Sequence, residues 1–214
     1  MTRTKLVLGV TFLTLILFAG AAYLVNQYQA SSGNGQNYDM TLLEREHSPS
    51  LGPDNAKVTI VEFFDPACEA CRAFYPFVKK IMAHHSGDVR VVLRYTTFHK
   101  GSDEVVRILE AARLQNLFLP VLEAVLERQP EWADHGNPSI ALAWEAAEQV
   151  GLDIEQARKD GQSAMINQIL EQDMVDVRTV GVLKTPTFFV NGKGLETFGG
   201  QQLYDLVLSE LQAP

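Results

Sequence analysis

Cys68 and Cys71 are the only two cysteines in a chain of 214 residues, and only Glu69 and Ala70 separate them. A pair at that spacing can be a structural staple, part of a metal clip, or a dithiol that cycles with its disulfide. A staple works by restricting the unfolded chain, and its effect shrinks with the loop it closes. A bridge across two residues closes almost nothing. A metal clip needs four ligands in a structural zinc site and three in a catalytic one. The histidines are His47, His84, His85, His99 and His135, and no second CxxC exists. No His spacing sets a ligand opposite the cysteines, so no metal site is assigned, although two soft thiolates leave copper open as an alternative. The redox reading needs only the two thiols and a setting that favours a thiolate.

That setting is legible around the pair. "KVTIVEFF" (57–64) is β-branched and aromatic on both alternating faces except at Glu62, the pattern of a strand buried within a sheet. "CEACRAFYPFVKKIMAH" (68–84) carries apolar residues at helical spacing, and Pro76 inside it predicts a kink. The pair therefore opens a helix, where unpaired N–H groups and the positive end of the dipole favour a thiolate. Thiols so placed have pKa values of about 3.5–7.5 against a free value near 8.5. Cys68 would exchange with a client and Cys71, one turn further in, would resolve the mixed disulfide. Glu62 is costly to bury unless paired or protonated. It is either a proton acceptor beneath the cysteines or a solvated residue at a strand edge.

"DVRVVLRYTTF" (88–98) predicts a second strand and completes a right-handed βαβ unit. From 102 to about 180 the signals are helical, with Ser102 as a cap and Asp153 and Gln156 at capping-box spacing. Trp132 and Trp144 lie in this insert and read as core or cap residues. "TPTFFVNGKGLETF" (185–198) is a hairpin about Asn191-Gly192, and a helix ends the chain. The order is βαβ, helical insertion, ββα, an α/β fold.

At the N-terminus, Arg3 and Lys5 precede an uncharged run over residues 6–25, and about 20 apolar residues suffice to span a bilayer. We read residues 1–5 as cytoplasmic and 6–25 as a signal-anchor. A cleaved signal peptide with a site in "AGA" (19–21) is the alternative. Residues 26–39 have the composition of a flexible linker, and 40–214 form the exported domain. The other 16 basic residues against 26 acidic ones, all beyond position 38, give that part a formal charge of −10, which argues against nucleic acid as a partner.

With these elements in order, the chain resembles the DsbA-like members of the thioredoxin superfamily. "VTIVEFFDPACEACR" is similar to the family's strand, active-site loop and helix, and "GVLKTPTFFVNGK" to its proline loop and hairpin. The resemblance runs from about residue 50 to 212. It implies a thioredoxin-like fold and an exported thiol–disulfide oxidoreductase acting through a Cys68–Cys71 disulfide, without a cofactor. Cys68 is then the exposed nucleophile, Cys71 the resolving thiol, Glu62 the buried acid and Pro186 a cis proline facing the pair. Thr185, Glu69 and Ala70 become client-contact positions. The partners implied are cysteine-containing exported proteins and a separate protein that reoxidises or reduces the pair. The place implied is the periplasmic side of a bacterial envelope, tethered to the inner membrane. A metal- or client-binding module without turnover is the alternative. Family oxidases carry Pro-His between the cysteines, so Glu69 is expected to raise the Cys68 pKa and weaken oxidising power.

Overall fold

The computed structural model describes residues 37–213 and, upstream, Thr14, Ile16, Phe18, Gly20 and Tyr23, which are helical. Most of the apolar run 6–25 and of the linker 26–39 lies outside the described residues. Among the described residues no helix is long and apolar enough to cross a membrane. The chain divides into two units, 1–36 and 37–214.

In the second unit, β1 (Ser50–Leu51), β2 (Val58–Phe64), β3 (Val89–Tyr95), β4 (Thr187–Val190) and β5 (Lys193–Gly194) form one sheet in the order β1-β3-β2-β4-β5. β2 and β3 are parallel, and the remaining pairings are antiparallel. The period of two along each strand sorts the side chains onto two faces. Ile60, Phe64, Val91, Leu93 and Phe188 join the cluster that contains both cysteines. Val61, Phe63, Val92 and Phe189 join a second cluster on the opposite face, with Leu43, Val177 and Val180. Every residue of β2 is buried, as a central strand covered on both sides requires.

Helix α1 (Met40–Leu43) precedes β1, and α2 (Glu69–His84) links β2 to β3 and runs unbroken through Pro76. The insertion comprises α3 (Ser102–Leu114), α4 (Phe118–Glu127), α5 (Gln129–Trp132), α6 (Ile140–Gln149), α7 (Ile154–Asp160) and α8 (Ala164–Val180). The final helix, α9, spans Gly200–Gln212. Asp153 caps α7 as expected, accepting from the Gln156 N–H at 3.0 Å. Ser102 does not cap α3: Gly101 stands at the N-cap with φ 83°, and the Ser102 hydroxyl is committed elsewhere. The hairpin turn has Asn191 and Gly192 at φ 47° and 85°, the left-handed pair that a two-residue turn needs. There the end of the stretch read as linker is already packed on the domain. The Tyr38 N–H donates to the Gly192 carbonyl at 2.8 Å, and its ring meets Phe189 edge-on at 4.8 Å.

On the face away from the cysteines, Arg94 is fully buried between Asp173 and Asp176 of α8. It also donates to the Leu42 and Leu43 carbonyls, both at 2.8 Å. Burial pushes the Asp176 carboxyl up, but Arg45 and Arg94 together hold it below its ordinary value. This guanidinium joins the segment before β1, strand β3 and the last helix of the insertion.

Candidate active site

The pair sits where the sequence placed it. Cys68 is the N-cap of α2, with extended backbone (φ −79°, ψ 119°), and Cys71 lies in the first turn. Both are free thiols. Cys71 has no exposure and Cys68 retains 6%, so Cys68 is the more accessible but is far from the open nucleophile expected. The proline loop covers it: the Thr185–Pro186 peptide bond is cis, and the Cys68 thiol donates to the Thr185 carbonyl at 3.3 Å.

The electrostatics separate the two sulfurs. The Cys71 thiol, the Thr185 side chain and the backbone N–H groups of Cys71 and Ala70 hold the Cys68 thiol down to about 5, against the opposing effect of burial. Burial first, then the proximity of Cys68 and Glu62, pushes Cys71 far above the ordinary thiol range. At neutral pH the geometry gives one thiolate, on Cys68, backed by a neutral thiol that donates to it.

Glu62 is 1% exposed and shares by alternation the face of Ile60 and Phe64. Burial, reinforced by Cys68, raises its carboxyl from 4.5 to about 8, and its Oε1 has no hydrogen-bond partner among the described residues. Burial keeps the folded carboxyl protonated while the unfolded chain's carboxyl ionises, so Glu62 destabilises the fold progressively as pH rises from 4.5 towards 8. Glutamine escapes that cost. We therefore expect reduced Glu62→Gln to gain stability on the wild type between about pH 5.5 and 7.5, by at most about 1.4 kcal/mol per pH unit. Urea unfolding at both pH values checks it, and a constant difference would contradict the assignment. The Cys68 linkage has the opposite sign: its lowered pKa stabilises the reduced fold as pH rises above about 5.

Glu69 stands in the first turn of α2, and its carboxylate accepts from the His135 ring at 2.7 Å. Its own backbone N–H first, and the His135 ring after it, hold the Glu69 carboxyl below its ordinary value. Ala70 packs at the edge of the core cluster and lends its N–H to Cys68.

Two residues that sequence reasoning missed hold the active-site loop. Asp65, fully buried, accepts the Ala67 N–H (2.9 Å) and the Ser102 hydroxyl (2.5 Å) on one oxygen. The other oxygen accepts the Phe98 and His99 N–H groups and faces His99 Nδ1 at 2.8 Å. The Asp65 N–H points at Cys71 Sγ (3.5 Å), and its carbonyl accepts the Cys68 N–H (3.1 Å). The second is Gln129, 1% exposed, whose amide donates to the Pro66 and Cys68 carbonyls at 2.8 and 3.0 Å. Arg72 fixes its orientation by donating to Oε1 at 3.0 Å. The Asp-Pro that follows β2 carried a turn signal, but nothing local marked Gln129. Trp132 is buried, with its indole N–H on the Val125 carbonyl, and Trp144 lies under Arg158. Among the described residues no group of three His, Cys, Asp or Glu side chains could hold a metal ion.

A family model described as Thioredoxin matches residues 44–204. The structure is similar to that of a thioredoxin-like oxidoreductase from Silicibacter pomeroyi DSS-3, at 27% identity and a TM-score of 0.70, over 82% of this chain and 99% of the other. It is also similar to oxidised BdbD from Bacillus subtilis, at 24% identity and a TM-score of 0.71, over 84% and 98%. Among curated sequences, a Na(+)/H(+) antiporter NhaA of Herminiimonas arsenicoxydans is 34% identical over 144 residues, 67% of this chain. The match spans only 22% of that antiporter's length.

Proposed function

Since the chain belongs to the thioredoxin superfamily, among its DsbA-like members, we propose that it is a protein thiol–disulfide oxidoreductase with Cys68–Cys71 as its redox centre. The observation that carries this is the split between the two sulfurs: Cys68 held down to about 5 at a helix start, Cys71 held up behind it. A binding site for a folded client has no need of that split, whereas exchange does. A low-pKa thiolate is a good leaving group, and a thiol that stays protonated until needed is a resolver.

In the oxidising direction a client thiolate attacks Cys68 Sγ, the Cys68–Cys71 bond breaks, and Cys71 leaves with the electron pair. Cys71 takes a proton, and the raised carboxyl of Glu62 is the titratable group facing it. The client's second thiolate then attacks its own sulfur in the mixed disulfide, forming the client disulfide and releasing Cys68 as thiolate. Run backwards, the same steps reduce a client. Pro186 has no N–H, and the chain beside it offers the Thr185 backbone to an extended client strand. Glu69 and Ala70 border the same mouth.

The chain contains no second cysteine pair, so a separate protein restores the starting state. We place the domain on the periplasmic side of the envelope with residues 6–25 retained as a tether. An intact mass matching a mature chain that begins near Ala22 would contradict the tether.

Turnover tests the function. The wild type should catalyse many rounds of exchange between dithiothreitol and a small peptide disulfide, and Cys68→Ser should show only the uncatalysed rate. Stoichiometric consumption without turnover would favour a client-binding module.

A further inference from the structure

Beside the cysteines stands a histidine that the mechanism above does not use. His99, in the loop between β3 and α3, is 27% exposed at its side chain and is clamped from below by the fully buried Asp65. Asp65 Oδ2 takes both the His99 backbone N–H at 3.1 Å and Nδ1 at 2.8 Å. That double contact fixes the ring and puts the remaining nitrogen on its outer side. The His135 ring lies 5.5 Å away and reaches Glu69 Oε1 at 2.7 Å. Asp65 also binds the Cys68 N–H through its carbonyl, so one residue positions both the imidazole and the thiol.

The charge balance gives this arrangement a purpose. A carboxylate buried beneath the CxxC turn would repel a thiolate on Cys68 unless a cation offset it. The groups facing His99 are Asp65 from the turn after β2, Cys68 and Glu69 from the start of α2, and His135 from the loop after α5. Lys100, next in sequence, is turned away to the Gly136 carbonyl, and Asp134 is occupied by the Gly136 and Asn137 N–H groups. Of these facing groups, only Cys68 changes its charge with the redox state.

We propose that His99 is a positioning residue for the exchange reaction, a cation held by Asp65 against the Cys68 thiolate, so that reduction of the pair is coupled to protonation of His99. The proposal rests on the redox reading of Cys68–Cys71. Its proton balance is simple. When the pair takes two electrons from a client dithiol, that client releases two protons and its two sulfurs join. One proton goes to Cys71, and Cys68 emerges as thiolate. The second proton, otherwise left to solvent, is taken in part by His99, whose affinity for it rises as the thiolate appears. Burial alone would lower the His99 pKa, yet Asp65, Cys68 and Glu69 raise it above its ordinary 6.5. By linkage the thiolate and the imidazolium stabilise each other equally.

The test is to titrate the imidazole of His99 by NMR in the full protein, reduced and oxidised, with the resonance identified by its loss in His99→Gln. We expect its pKa to fall by at least about half a unit on oxidation, a threefold drop in proton affinity. Reduced Cys68→Ser should titrate like the oxidised form. By reciprocity, His99→Gln should raise the pH of half-maximal Cys68 alkylation by a similar amount, and His99→Arg should bring it back. A purely structural His99 would titrate identically in both redox states, and that result would overturn the proposal whatever variant folds. Failure of the broader reading looks different: dithiol exchange would show no turnover while the His99 shift could still be seen.

Discussion

Cys71→Ala should abolish turnover and leave the protein covalently joined to its clients. The variant keeps Cys68 at the start of α2, with the backbone N–H groups of Ala70 and residue 71 still facing it. It loses the hydrogen bond from the Cys71 thiol, the largest of the effects holding Cys68 down. The Cys68 pKa should therefore rise while staying below the ordinary thiol value, and attack on clients should continue, because a thiol whose pKa moves towards the ambient pH gains nucleophilicity while keeping much of its thiolate. Resolution stops outright, because the sulfur that would displace the client is gone. Non-reducing electrophoresis of cells carrying the variant should show mixed disulfides that disappear on reduction, with turnover at the background rate. If Cys68→Ala accumulates them instead, the two roles are reversed.

Arg94→Met should cost about 3–5 kcal/mol of stability, the range for stranding one side of a buried charge network. Arg94 itself has no exposure, Asp173 has none and Asp176 has 1%. Without the guanidinium, Asp176 keeps Arg45, bound at 2.8 and 2.7 Å, and Asp173 keeps His47 and the Tyr95 N–H. The Leu42 and Leu43 carbonyls lose their donor, so the segment from α1 to β1 should loosen first. Against a total of about 5–15 kcal/mol the loss is large, and a urea midpoint displaced by less than about 1 kcal/mol in free energy would contradict it. Arg94 stacks on Phe63, on the face of the sheet opposite the cysteines. The Cys68 titration should therefore be the same in the folded variant as in the wild type.

The elements that could be read from the sequence are those specified by nearby residues. The apolar run of β2, the helical spacing after Cys68 and the Asn191-Gly192 turn each carry their signal within a few positions. β1 was missed because two residues have no period, and Ser50–Leu51 is a strand only because Val91 and Val92 pair with it. The active site divides in the same way. Its sulfurs, Glu62 and the proline loop stand in contiguous motifs. Asp65, His99 and Gln129 act across the fold: Asp65 and His99 meet over 34 residues, and Gln129 reaches carbonyls 61 and 63 residues away. The same distance hid the partner of Glu69, since His135 lies 66 residues away in sequence. Ser102 was read as a cap from its position, whereas tertiary structure gave its hydroxyl to Asp65.

The account stands on one claim, that this fold makes a single reactive thiolate at Cys68 while Cys71 remains a thiol. The ultraviolet absorbance of the reduced protein, followed against pH, measures that directly. One thiolate should appear with a midpoint near 5 and no second one through the neutral range. A midpoint near 9.0, the ordinary thiol value, or two thiols titrating together, would contradict it.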